Sequence, residues 1–163
     1  MSGGRSQRER DLDRVRATTV DHPLVGSWRL RIYLAIADDG SESLPMGDAP
    51  DGLLVYSSDG TMVGIMGPGS RPRFASDDVT GGTDDERAGA FATFVAYGGP
   101  FEIDRDTVSH HVETSLFPNW IGTVQRRRWA LDETGQRLTL TSPPVVLGGA
   151  TRIQRSTWER VRD

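Results

Sequence analysis

TVSHHVETSLFPNWIGTVQRRRWAL, residues 107–131, decides the fold. It holds two of the chain's three histidines, two of its four tryptophans, its only asparagine and an arginine triplet. Two alternating runs flank a Pro/Asn/Gly turn, which reads as a pair of antiparallel strands. Over 107–116, Val108, His110, Val112, Thr114 and Leu116 share one face, and the apolar set turns that face inward. His111 and Glu113 then point outward. In the second run Trp129 and Leu131 choose the interior and carry Gln125 and Arg127 with them, leaving Arg126 and Arg128 outside. A guanidinium on the inner face needs a partner or a wet cavity, because burying a bare charge is costly.

The flanking sequence repeats the strand pattern. Over 28–36, Trp28, Leu30, Ile32, Leu34 and Ile36 fall on one face and Arg29 and Arg31 on the other, so a half-buried strand is expected. Leu53 to Tyr56 and Thr61 to Met66 flank the turn Ser57-Ser58-Asp59-Gly60. Gly67 to Phe74 (GPGSRPRF) reads as a loop. Thr83-Asp84-Asp85-Glu86 is a capping box that opens one helix, expected to run to about Tyr97 and to stop at Gly98-Gly99-Pro100. Further strands are expected over 101–104, 107–116, 122–131, 137–142 and 151–161. Seven or eight short strands with one helix predict an all-β, antiparallel up-and-down barrel, whose closure removes exposed edges.

Length and composition set the outer limits. The chain has 163 residues, 36% hydrophobic and 26% charged, with a net charge of −4. Residues 22–163 are expected to form one barrel domain behind a flexible tail over residues 1–21, which is charged and poor in apolar groups. The net negative charge argues against a nucleic-acid partner, and no apolar run approaches the roughly 20 residues of a membrane-spanning helix. Cysteine is absent, which excludes disulfides and thiolate chemistry. Lysine is absent too, which excludes Schiff-base catalysis. The N-terminus lacks the apolar core of a secretory signal, so a cytoplasmic location is expected. The three histidines lack a spaced carboxylate set, and His110 and His111 lie on opposite faces, so no metal is expected. No cofactor is expected, and a homodimer is left open as a partner.

An inward imidazole, amide and guanidinium beside tryptophan suit a ligand lumen, which is mainly apolar with a few polar anchors. His110 is the candidate for proton transfer. Arg127 is the candidate fixed cation for developing negative charge. Trp28, Tyr56, Met62, Met66, Arg73, Ser115, Phe117, Trp120, Gln125 and Trp129 are the candidate ligand contacts. Structural alternatives stand beside these readings. His110 would be a core histidine satisfied by a backbone carbonyl, and Arg127 with Gln125 a structural network. Trp28 and Trp158 would be packing residues that close the barrel, Arg73 part of a solvated loop, and Glu113 and His111 a solvated surface pair.

Several blocks recur together: LVGSW (Leu24 to Trp28), GLLVYSSDGTM (Gly52 to Met62), RPRF (Arg71 to Phe74), HHVETSLFPNWIGTVQRR (His110 to Arg127), RLTLTSPP (Arg137 to Pro144) and WERV (Trp158 to Val161). In this order they resemble the bacterial lipocalin-like domain family, over about residues 22–161. The resemblance implies a barrel with a lumen for an apolar small molecule. Some members of that family sit beside polyketide and other natural-product pathways, and related lipocalin-like barrels elsewhere act as cofactor-free cyclases and isomerases. A tailoring enzyme catalysing cyclisation, isomerisation or dehydration is therefore expected, with a non-catalytic binding protein or carrier as the alternative.

Overall fold

The computed structural model describes residues 21–162. The expected tail lies outside them, apart from Asp21, which stands in a turn. Eleven strands are present: β1 (Gly26–Ile36), β2 (Glu42–Ser43), β3 (Pro50–Tyr56), β4 (Thr61–Pro68), β5 (Val95–Asp104), β6 (Thr107–His111), β7 (Thr114–Ser115), β8 (Val124–Leu131), β9 (Arg137–Thr141), β10 (Val145–Leu147) and β11 (Ala150–Arg160). Eight of them form an antiparallel cycle, β1-β3-β4-β5-β6-β8-β9-β11, which β11 closes by pairing with β1. The short strands β2, β7 and β10 extend β1, β5 and β11 beyond that cycle.

The turns follow from their residues. Gly60 takes φ +86° in the β3–β4 hairpin, a left-handed conformation that glycine adopts without strain. Asp132 Oδ1 accepts from the backbone N–H groups of Gln136 and Arg137, which holds the β8–β9 connection.

Two sequence expectations need correction. The first is β1. Its pairing with β11 slips between Leu30 and Ile32, so Arg31 is an extra, bulged residue. Beyond it every side chain changes face. Trp28 and Leu30 are buried as expected, but Tyr33 and Ala35 then replace Ile32, Leu34 and Ile36 as the inward residues, and Ile32 is 45% exposed.

The second is the helix. α1 (Asp84–Ala92) has the expected capping box, with the Thr83 hydroxyl accepting from Glu86 N–H and the Glu86 carboxylate accepting from Thr83 N–H. It ends at Thr93, however, and the chain re-enters the barrel as β5, straight through Gly98-Gly99-Pro100. Here the glycines serve close packing. A Cβ at Gly99 would stand 2.0 Å from the His111 carbonyl oxygen, and one at Gly98 would stand 2.9 Å from that of Met62. β6 also breaks before β7, so Thr114 is exposed and leaves the inward face of Val108, His110 and Val112, while Leu116 regains it at the cavity, where it is 39% exposed.

The half of the barrel beside residues 21–25 is filled by side chains. Leu24, Trp28, Phe101, Val108 and Leu138 are fully buried there. Arg160 ties that end shut. Its guanidinium donates to the carbonyls of Val25 (3.0 Å), Pro23 (2.6 Å) and Gly135 (3.1 Å) and covers the Trp28 ring. The other half of the barrel is hollow.

Candidate functional site

The hollow is a cavity of about 620 Å³. Its walls come from Tyr33, Leu54, Met66, Tyr97, Leu140 and Trp158, all carried by barrel strands. Its mouth is formed by the end of α1 (Phe91 to Thr93), by Phe94, and by Met46, Phe117, Trp120 and Val145. These side chains make an aromatic and aliphatic enclosure of the kind that takes up small molecules.

One polar cluster interrupts the apolar wall. His110 is 1% exposed and sits between two phenols. Its Nε2 is 2.7 Å from the Tyr56 hydroxyl and its Nδ1 is 2.9 Å from the Tyr97 hydroxyl. Tyr56 comes from β3, Tyr97 from β5 and His110 from β6. Tyr33, from β1 just past its bulge, is the third tyrosine of the chain and also faces the cavity.

The electrostatics fix the protonation of this cluster. Burial, with help from the Arg127 cation and from His111, pulls the His110 pKa down from 6.5 to about 3, so the imidazole is neutral at physiological pH. Burial pushes the Tyr33 phenol up to about 12 and raises those of Tyr56 and Tyr97, with the Arg127 charge opposing it at each. All three phenols therefore keep their protons.

A neutral imidazole has one N–H, and its placement follows from burial. Tyr56 is 1% exposed, and among the described residues its hydroxyl meets only His110. If Nε2 carried the proton, the Tyr56 O–H would be a buried donor without an acceptor, at a cost of about 1–3 kcal/mol. The favoured arrangement runs one way. Tyr56 O–H donates to Nε2, Nδ1–H donates to the Tyr97 oxygen, and the Tyr97 proton is left to point into the cavity.

Gln125 and Arg127 complete the cluster. They alternate inward on β8 with Trp129 and Leu131, while Arg126 and Arg128 face solvent. Gln125 Nε2 donates to the Thr123 hydroxyl (3.2 Å), and Arg127 Nη1 donates to the Arg126 carbonyl (2.8 Å). Arg127 makes no ion pair among the described residues.

The residues expected at the site divide cleanly. His110, Arg127, Met66, Phe117, Trp120 and Gln125 all line the cavity. Tyr56 lies behind His110, outside the wall. Trp28 and Met62 are buried in the filled half, because β1 and β4 carry them to the closed end. Trp129 is one pleat beyond Arg127 and packs edge-on against His22 at 5.2 Å. Ser115 accepts from Phe117 N–H and stays outside the lumen. Arg73 is exposed on its loop, away from the cavity. His111 finds Glu102 across the strand pair at 3.4 Å, and not Glu113, whose N–H is held by the Gly98 carbonyl.

Sequence reading missed Tyr33, Tyr97 and Trp158 as lumen residues. The run Phe94-Val95-Ala96-Tyr97 carries the β-favouring signal that would have found Tyr97. Tyr33 was concealed by the bulge.

A family model described as a lipocalin-like domain matches residues 25–161. The 4'-hydroxy-3'-methoxypropiophenone carrier protein of Aspergillus oryzae is 35% identical over 106 residues, which cover 60% of this chain and 93% of that protein. A solved structure of EF1p2_mFAP2b bound to DFHBI is 12% identical and has a TM-score of 0.41, covering 88% of this chain and 98% of that one. No helix among the described residues is long and apolar enough to cross a membrane.

Proposed function

The chain belongs to the lipocalin-like domain family, and from that premise we propose that its barrel is a binding protein for an apolar, aromatic small molecule bearing a carbonyl or hydroxyl oxygen. The observation that carries this reading is the 620 Å³ aromatic cavity with one polar cluster in its wall. An aromatic ketone of the kind named for the Aspergillus oryzae relative fits that description. Its ring would stack among Phe117, Trp120 and Trp158, and its oxygen would be met by Tyr97, Gln125 and Arg127.

Carriage is favoured over turnover for a reason of geometry. A general base needs a lone pair aimed at its substrate. Both nitrogens of His110 are taken by tyrosine hydroxyls, and the ring resists protonation. His110 is therefore better suited to orient Tyr97 than to move a proton itself.

A second reading has its own support. Among the described residues Arg127 is a cation without a carboxylate partner on the cavity wall, and such a charge stabilises an enolate formed during cofactor-free isomerisation, cyclisation or dehydration. In that case the lumen would fold the substrate, Arg127 and Tyr97 would hold the developing oxyanion, and the attacking or departing proton would be exchanged with water or the substrate itself.

One experiment separates the two. The protein is titrated with 4'-hydroxy-3'-methoxypropiophenone, following quenching of Trp120 and Trp158, and the ligand is then recovered and analysed by chromatography. Saturable quenching with unchanged ligand is the expected result. Product that forms with wild type and is lost in Arg127→Ala would establish the enzyme instead. No saturable binding of this or related aromatic ketones would remove the lumen-ligand reading.

A further inference from the structure

We propose that the lumen selects ligands with an acidic hydroxyl, a phenol or an enol, and holds that group as its anion between the Tyr97 hydroxyl and the Arg127 guanidinium. This rests on the lumen being a ligand site, and it adds the ligand's chemical class and protonation state.

The charge balance of the wall is the first ground. Of the described residues that line the cavity, Arg127 is the one with a permanent charge, and none is Asp or Glu. A half-buried cation without a counter-ion is uncomfortable in an apolar enclosure. The missing negative charge is then supplied by whatever binds.

The direction of the hydrogen bonds is the second ground. The chain Tyr56 to His110 to Tyr97 uses up both acceptor and donor positions of the imidazole. At its end it leaves one O–H aimed at the cavity. Tyr97 donates into the lumen and Arg127 lines the same cavity, near enough for its charge to act on that phenol, so this wall offers donors where an acidic group would otherwise find a base. Donors of this kind bind an oxyanion far better than a neutral hydroxyl.

Arg127 Nη1 is given to the Arg126 carbonyl, which leaves Nε and Nη2 to meet the ligand's oxygen. The flat, aromatic lining by Phe117, Trp120 and Trp158 suits a conjugated ring bearing that oxygen. Tyr97 and Arg127 would touch the ligand. Tyr56 and His110 are positioning residues, which act by fixing the direction of the Tyr97 proton.

The test uses 7-hydroxycoumarin, whose absorption distinguishes phenol from phenolate, with 7-methoxycoumarin as a probe that cannot ionise and 7-methoxycoumarin-3-carboxylate as a competing anion. Each is titrated into the full-length protein across neutral pH. Bound 7-hydroxycoumarin is expected to ionise at least about tenfold more readily than free, a fall of about one pKa unit. Tyr97→Phe, Arg127→Gln and Tyr56→Phe should each reverse that shift and lose more affinity for 7-hydroxycoumarin than for 7-methoxycoumarin, with circular dichroism reporting that each variant is folded. An unshifted pKa for bound 7-hydroxycoumarin would overturn the inference and leave the lumen reading standing. Tighter binding of the carboxylate than of the phenol would overturn the ligand class. Failure to bind 7-methoxycoumarin in the wild type would remove the lumen reading itself, and the inference with it.

Discussion

The Arg160 guanidinium lies 4.1 Å from the centre of the Trp28 ring while donating to three backbone carbonyls. One side chain thus joins the last strand, the first strand and the segment before it at the closed end of the barrel. Arg160→Ala removes a cation–π contact and three charge-assisted hydrogen bonds, and is expected to destabilise the fold by about 2–4 kcal/mol. Gly26 takes φ +135°, and a Cβ there would stand 2.7 Å from Arg160 Nη1. Gly26→Ala should therefore cost about 1–3 kcal/mol through backbone strain and displacement of Arg160. The two changes share a partner, so urea denaturation of the double variant should show a loss smaller than the sum. Strict additivity would mean that Gly26 and Arg160 act independently.

His110 ties stability to pH. Its pKa is about 3 in the fold against 6.5 ordinarily. Between those values the unfolded chain binds a proton that the folded protein refuses. Stability is then fully present above about pH 6.5 and falls as pH drops toward about 3, at up to about 1.4 kcal/mol per pH unit from this group. His110→Phe should flatten that part of the stability–pH curve. It should also lower stability at pH 7 by about 2–4 kcal/mol, because Tyr56 keeps a buried hydroxyl without a partner. Chemical denaturation at several pH values measures both, and an equally steep acid slope in the variant would assign the effect to other groups.

Legibility from sequence varied with how local the cause was. Period-two alternation placed His110, Gln125 and Arg127 inward on β6 and β8, because those strands run without a bulge through the pairs His110–Gln125 and Val108–Arg127. It failed on β1, where Leu30, Ile32, Tyr33, Leu34 and Ala35 supply apolar side chains to both faces and conceal the extra residue at Arg31. It failed again at Tyr97. Gly98-Gly99-Pro100 reads as a helix stop, yet here the glycines let β5 pass close to the His111 and Met62 carbonyls. The place of Tyr97 beside His110 and that of Tyr33 in the lumen were lost through those two errors, since Tyr33 follows the bulge and Tyr97 precedes the glycines. Tertiary approach of backbones leaves no periodic trace in one chain.

The β1 bulge makes neighbouring positions respond oppositely. Ile32 is 45% exposed and Ala35 is 2% exposed. Ile32→Lys is expected to change stability by less than about 0.5 kcal/mol, as an ordinary surface substitution. Ala35→Lys would force a charge into the barrel and should cost several kcal/mol or prevent folding. Thermal denaturation of the two variants distinguishes the bulged register from uninterrupted alternation, which would make Ile32→Lys the damaging change.

The mouth of the lumen should control affinity separately from stability. Val145 lies on β10, which pairs only with the outer part of β11, and its side chain faces the cavity. Val145→Trp places an indole in the entrance, where the wall is not yet closely packed. Ligand affinity is expected to fall about tenfold or more, the equivalent of about 1.4 kcal/mol, with stability changed by less than about 1 kcal/mol. Val63→Trp is the matched control, since Val63 is 48% exposed on the outer face of β4 and should leave binding as it was. Fluorescence titration of both variants with the same aromatic ketone measures the difference. Equal affinities would mean that the ligand enters or sits elsewhere, because no ligand seated beneath Phe117 and Trp120 could ignore a new indole in the same opening.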